Sequence, residues 1–216
     1  MHKQAEIRQR IMNALEEVMS EQGMMGVSVG VIAQKANVNK GLIYRHFGGV
    51  KGLLNYYIRD SNAFPHFTLD YLEQLSLVQS DDAARLWSGL IIQFFRQLRS
   101  SKASREVLIN SLVRDKGLAE TIHQTQHQQL TGLLQRGSPA QEADSPAILA
   151  ILLGGLYYLT ILAHNNQPML GIDLRSEAGW QGVEESIRLI YSKLTKSDRH
   201  AHSLRDQPLS THSQAA

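Results

Sequence analysis

Apolar residues recur at intervals of three and four along almost the whole chain, and stretches that alternate apolar with polar are few. This period predicts an all-helical fold, with helices near 3–22, 28–35, 39–46, 50–62, 68–78, 82–100, 103–136 with a break around Lys116-Gly117, 146–165 and 177–195. In the first of them Ile7, Ile11, Leu15 and Val18 form one stripe. Loops are expected at Gly137-Ser138-Pro139 and from Gln167-Pro168 to Arg175, and no internal repeat interrupts the pattern. Residues 197–216 are polar, with Leu204 and Leu209 as their large apolar residues, and read as a disordered tail whose His200, His202 and His212 are solvated.

One segment stands apart from this pattern. Over Ser28–Phe47 two short helices follow each other across a tight turn. Ser28 suits the cap of the first, since its hydroxyl accepts from a backbone N–H that has no partner inside the helix, and Ile32 and Ala33 supply the inward side. Ala36-Asn37-Val38 is the turn: Asn37 tolerates the left-handed backbone that a sharp helix stop demands, and Val38 can fill the angle between the helices. Asn39 caps the second helix, where Ile43 and Phe47 share the inner face. Gly41, Tyr44 and Arg45 project away from it, with Lys40 at the entry and His46 on the flank. Cations for phosphates and guanine edges, a phenol for a phosphate and a glycine for close approach together describe a helix-turn-helix that reads DNA. A plain solvated helix pair would need neither the short turn nor both caps.

Charge sharpens the picture only when it is mapped. The whole chain is +2, which names no partner, but residues 1–60 hold eight Lys or Arg against five acids while the remainder holds fourteen against fifteen. From Gln22 to Arg59 there is no carboxylate, while Lys35, Lys40, Arg45, Lys51 and Arg59 lie in that window. A phosphate-facing surface requires that absence as much as it requires cations.

On these residues the chain resembles the TetR-type one-component transcriptional regulators over roughly 7–58. Gly23 and Gly26, Ser28, Ile32-Ala33, Ala36-Asn37-Val38, the run Asn39 to Phe47 and Leu53-Leu54 stand where that family has its helix end, cap, turn and recognition helix. The family's phosphate-binding lysine falls on Val50, and Lys51 beside it is expected to take over that contact. Gly48-Gly49 is expected to loosen the junction, and Val29 and Gly30 occupy positions where relatives place polar contacts, so base reading rests on Lys40, Gly41 and Tyr44. The DNA-binding set is thus Ser28, Asn39, Lys40, Gly41, Tyr44, Arg45, His46 and Lys51. The resemblance implies a three-helix reader over 1–50, a ligand-binding and dimerising helical bundle over 51–196, and the tail over 197–216.

The rest of the chain bears on partners. At 216 residues and 43% hydrophobic, it can bury a substantial core. The absence of cysteine excludes disulfides and thiolate metal sites, and the amphipathic start lacks the apolar block of a secretory signal, so a cytoplasmic protein is expected. Residues Ala147 to Ala163 carry no charge. As a helix they must be covered on nearly every side; the run is short for a membrane span, contains Gly154-Gly155 and has no flanking cations, so a partner subunit is the expected cover rather than a membrane. Leu152, Leu156 and Leu159, with Val183, Ile187, Ile190 and Leu194 of the last helix, are the expected dimer face, which the resemblance assigns to a four-helix interface. Two readers about 34 to 36 Å apart suit a palindromic double-stranded operator, and repression requires only occupancy.

The resemblance further implies a small organic effector held between the middle helices, where Phe67, Tyr71, Trp87, Ile91, Phe94, Phe95, Tyr157 and Tyr158 supply aromatic and apolar walls and His123 and His127, with His164, polar contacts. Such a stripe also serves as plain core. Arg96, Arg99, Lys102 and Arg105 could meet an anion, although a solvated basic helix end is the default. Alternatives are a regulator controlled by a protein partner or by no ligand. More distant is a helical-bundle metalloenzyme using Glu120 and His123, whose Glu-x-x-His spacing has no second copy. No cofactor, metal or catalytic residue is expected.

Overall fold

The computed structural model describes residues 2–61, 63–67, 80–136 and 145–205. Among them are nine α-helices: α1 (His2–Gln22), α2 (Val29–Lys35), α3 (Lys40–Phe47), α4 (Val50–Arg59), α5 (Ser80–Ser100), α6 (Lys102–Val113), α7 (Lys116–Arg136), α8 (Ser145–His164) and α9 (Glu177–Arg205). A 3₁₀ turn, Met24–Gly26, follows α1. The expected break in 103–136 is real, and Asp115 makes it: its carboxylate accepts from the backbone of Gly117 at 2.9 Å and Leu118 at 3.1 Å and so caps α7. The last helix runs ten residues past the expected 195, to Arg205. No glycine or proline lies between Thr195 and Arg205, and Pro208 is the next residue that cannot continue a helix. The expected helix at 68–78, the loop at Gly137-Ser138-Pro139 and the chain from 206 onward lie outside the described residues.

Two hydrophobic cores organise these helices. The first takes the α1 stripe Ile11, Leu15 and Met19, then Ile32, Ile43, Leu53, Tyr57 and Ile58 from α2 to α4, and continues into Ala103 and Val107 of α6 and Leu118 and Ile122 of α7. The reading end is therefore seated on α6 and α7 by shared apolar burial rather than tethered to them. Tyr57 and Ser104 reinforce this seam through a buried hydroxyl pair at 3.0 Å. The second core is built on α5, where Trp87, Ile91, Phe94 and Leu98 meet Leu149, Leu153 and Leu156 of α8 and Ile187 and Tyr191 of α9. Between α8 and α9 the chain reverses at Met169 and Ile172, which exchange backbone hydrogen bonds of 3.2 and 2.8 Å.

Candidate nucleic-acid interface

The reader is assembled by local chemistry and held by one distant residue. The Ser28 hydroxyl accepts from Val31 N–H at 3.3 Å, and the Asn39 side chain accepts from Gly41 N–H at 2.8 Å, so both expected caps are made. Asn37 sits at φ 50°, in the left-handed region the turn requires. The carbonyls left open there find a partner no local pattern announces: Arg10 of α1 donates one guanidinium nitrogen to Ala36 O at 2.7 Å and Asn37 O at 2.8 Å. Twenty-six and twenty-seven residues separate these partners, so only the folded packing of α1 on α2 brings them together.

The inner face of α3 is as expected, with Ile43 fully buried and Phe47 edge-on to Tyr56 at 5.3 Å. Outward, Ser28, Asn39, Lys40, Gly41, Arg45 and Lys51 are exposed, Tyr44 is 59% exposed and His46 is half-buried against Phe47. Lys40 and Arg45 form no ion pair among the described residues, so their charge is available to phosphates. The bare Cα of Gly30 leaves room for the Lys40 ammonium, which lies 3.5 Å from where a β-carbon there would stand.

Three further details shape this face. Lys35 is no free cation: it pairs with Glu17 at 3.2 Å and Glu21 at 2.6 Å on α1, contacts that raise its pKa. Lys51, exposed, extends toward the first turn of α7, 3.6 Å from the β-carbon position of Gly117. Gly48 closes α3 at φ 75° and Gly49 opens α4 at φ 105°, a succession that residues with side chains resist, and the Tyr44 ring rests on Gly49 at 3.3 Å from its β-carbon position.

Behind the reader, the aromatic set divides. Phe67, Trp87, Ile91, Phe94 and Phe95 are buried together, Phe67 stacked on Phe94 at 4.7 Å and Phe95 tilted against Tyr157 at 5.3 Å. Burial pushes the Tyr157 phenol above its ordinary pKa, and its oxygen accepts from Gln126. The indole N–H of Trp87 is buried without a hydrogen-bond partner. Tyr71 lies outside the described residues. Tyr158 points outward, and His123 and His127 stand exposed on α7, stacked on each other at 5.8 Å, so these three do not line the aromatic cluster. A helical period identifies residues sharing a face but not which face turns inward.

The expected dimer face shows the same limit. Leu156 and Ile187 are committed to the protomer's own core, Leu152, Leu159, Val183 and Leu194 pack partly against it, and of the seven Ile190 is exposed. The apolar row open on α8 is instead Ile151, Gly154, Gly155 and Tyr158, and on α9 it is Leu189 with Ile190. Among the described residues no three His, Asp or Glu cluster as a metal site. Arg96, Arg99, Lys102 and Arg105, read as a solvated helix end, instead border a cavity of about 640 Å³ beside α6.

Comparison with known proteins meets this geometry at the reader. The family described as bacterial regulatory proteins, tetR family, matches residues 11–57, the segment that α1 to α4 build. Over 115 residues the chain is 31% identical to the uncharacterized HTH-type transcriptional regulator TtgW from a strain of Pseudomonas putida, spanning 52% of this chain and 80% of TtgW. Over 198 residues it is 26% identical to the HTH-type transcriptional regulator SrpR of Pseudomonas putida, covering 86% of this chain and 89% of that one. The fold superposes on the fatty acid degradation regulator FadR of Bacillus halodurans with a TM-score of 0.64 at 19% identity, over 86% of this chain and 94% of FadR. A capped and clamped helix-turn-helix with an open cationic face, carried on an all-helical body of matching fold, makes this chain a DNA-binding transcriptional regulator, not an enzyme, and a member of the TetR family.

Proposed function

We propose that the protein is a cytoplasmic homodimeric repressor that occupies a palindromic double-stranded operator and leaves it when a small organic effector binds. The observation that carries this reading is the open apolar row on α8 and α9. Ile151 is 73% exposed and Leu189 57%. Nothing stands within 4 Å of the β-carbon positions of Gly154 and Gly155, so a neighbouring helix can come close there. The helix Pro146–His164 is also long and apolar enough to cross a membrane, yet its Leu149, Leu153, Leu156 and Thr160 are committed to the protein interior. A second copy covers the remaining face by two-fold symmetry, each row meeting its own image.

Pairing also suits the reader. A single short helix-turn-helix makes few base contacts, whereas two at a spacing of about 34 to 36 Å bind one palindrome together and lose that advantage when their separation changes. Sedimentation analysis joined to footprinting of captured genomic DNA tests the reading. A dimer protecting a palindrome upstream of a gene whose transcript rises on deletion of the regulator is expected; a protein that stays monomeric at micromolar concentration and protects an asymmetric site would refute it.

A further inference from the structure

The cavity beside α6 is unusual in charge. Arg96, Arg99, Lys102, Arg105 and Arg175 border it against a single carboxylate, Glu177. Carboxylates satisfy three of these cations. Arg96 donates twice to Glu184, at 2.7 and 2.5 Å, Arg99 reaches Glu177 at 3.1 Å and Glu184 at 3.8 Å, and Arg175 binds Asp173 at 2.9 Å. Lys102 and Arg105 remain without an acidic partner within 4 Å among the described residues. Arg105 is half-buried and donates to the Arg99 carbonyl; burial lowers its pKa, while the nearby Glu106 carboxylate acts in the opposite direction. Both residues belong to the first turn of α6, so the unpaired N–H groups of that turn add to the positive potential.

On its other side the cavity meets a buried indole whose ring Arg99 already covers. Trp180 is pinned by its indole N–H to Leu174 O at 2.7 Å, carries the Arg99 guanidinium over its ring at 4.2 Å, and borders the cavity together with Leu174 and Ala163. A volume of about 640 Å³ is in the range of small-molecule sites. His164, also on the cavity, lies 3.6 Å from one oxygen of Glu106, whose other oxygen accepts from Met24 N–H at 3.2 Å. Met24 begins the turn that joins α1 to α2 within the reader. Glu106 thus stands between the cavity and the α1–α2 turn.

We propose that this cavity binds a small organic anion, its carboxylate or phosphate head on Lys102 and Arg105, and that occupancy shifts the reader through His164, Glu106 and Met24. The proposal rests on the reading of an effector-released repressor and names the effector's class and place. A bound head beside Arg105 competes with Glu106 for the guanidinium's charge, and a Glu106 drawn away from its place alters the support of Met24.

The test titrates the full-length protein by calorimetry with 1-naphthoate and with uncharged 1-naphthalenemethanol. Naphthoate is expected to bind at least tenfold more tightly. Lys102→Ala, at an exposed position, and Arg105→Gln should each erase most of that preference with the circular dichroism spectrum kept, whereas Lys116→Ala, which removes a cation elsewhere, should leave it intact. Equal affinity for acid and alcohol, or a preference indifferent to Lys102→Ala, overturns the anion site. Anisotropy with a captured operator fragment then reads the relay: naphthoate should weaken DNA binding by the wild type and fail to do so in Glu106→Gln, which still binds the acid. Charge-dependent binding that leaves wild-type DNA affinity unchanged supports the site and overturns the relay. A protein that no compound in a wider effector panel releases from DNA overturns the effector reading itself.

Discussion

Replacing Ile151 with aspartate probes the proposed dimer. Full burial of an isoleucine side chain is worth about 1.5–3 kcal/mol. With 73% of Ile151 still exposed in the protomer, its share of the interface is about 1–2 kcal/mol per chain. An isologous contact counts every residue twice, giving roughly 2–4 kcal/mol per dimer, or a dissociation constant about 30- to 700-fold higher. The aspartate adds to this, since two carboxylates are brought into an apolar interface without partners. Sedimentation equilibrium measures the effect, and operator affinity should fall with it because a single reader remains on each chain. Val113→Asp is the matched control: Val113 is 74% exposed on α6 and lines a cleft beside Met24 rather than the open row of α8 and α9. Ile151→Asp assembling as tightly as the wild type, or Val113→Asp dissociating it equally, would show that the open row is not the interface.

Three further outcomes follow from named contacts. Lys40→Ala and Tyr44→Ala should each weaken operator binding by about tenfold at fixed salt while the dimer persists, and Lys40→Ala should reduce the salt dependence by about one counterion, all read by fluorescence anisotropy; unchanged affinity in both would remove α3 from the groove. Arg10→Ala strips two hydrogen bonds from the turn carbonyls and should cost about 1–2 kcal/mol in urea unfolding, with operator affinity falling although Arg10 lies on α1. Glu184 gives a pH signature. The Arg96 guanidinium, foremost, with Arg188 and Arg99, holds the buried Glu184 carboxyl below its usual range, so the folded state resists protonation that the unfolded chain accepts. Its stabilisation is complete above the ordinary carboxylate pKa, about 4.3, and drains away as pH falls through the lower folded value. Glu184→Gln should therefore melt lower than the wild type at pH 7, by about 1.5–3 kcal/mol, and the difference should close in acid; a gap independent of pH would contradict the ion pairing.

The reader was almost wholly legible because its determinants are local. Ser28, Asn37, Asn39 and the pair Ile43 and Phe47 each act within one or two turns of their own position, and the caps, turn and inner face stand where the spacing put them. What escaped is contributed from afar. Arg10 holds a turn 26 residues on, and Glu17 and Glu21 neutralise Lys35 from the preceding helix. Counting carboxylates along a window treats the chain as a line, and Lys35 shows where that fails: the acids it meets lie outside the window and inside the fold.

The rear half poses a harder problem, and α8 isolates its cause. A run apolar on every side has no polar face to declare which stripe is inward, so Leu152, Leu156 and Leu159 and the row Ile151, Gly154, Gly155 and Tyr158 are equivalent by period. Packing decides between them. The second core on α5 takes the leucines because their branched side chains fill the space beside Phe94 and Phe95, and it leaves the glycines outward, where a bare backbone has nothing to fill. Small residues on an open face are poor core but good contact for another helix. The stripe that a two-fold partner can approach is thus the one that the protomer's own core rejects, which is why Ile151, and not Leu156, is the position where a charge should part the dimer.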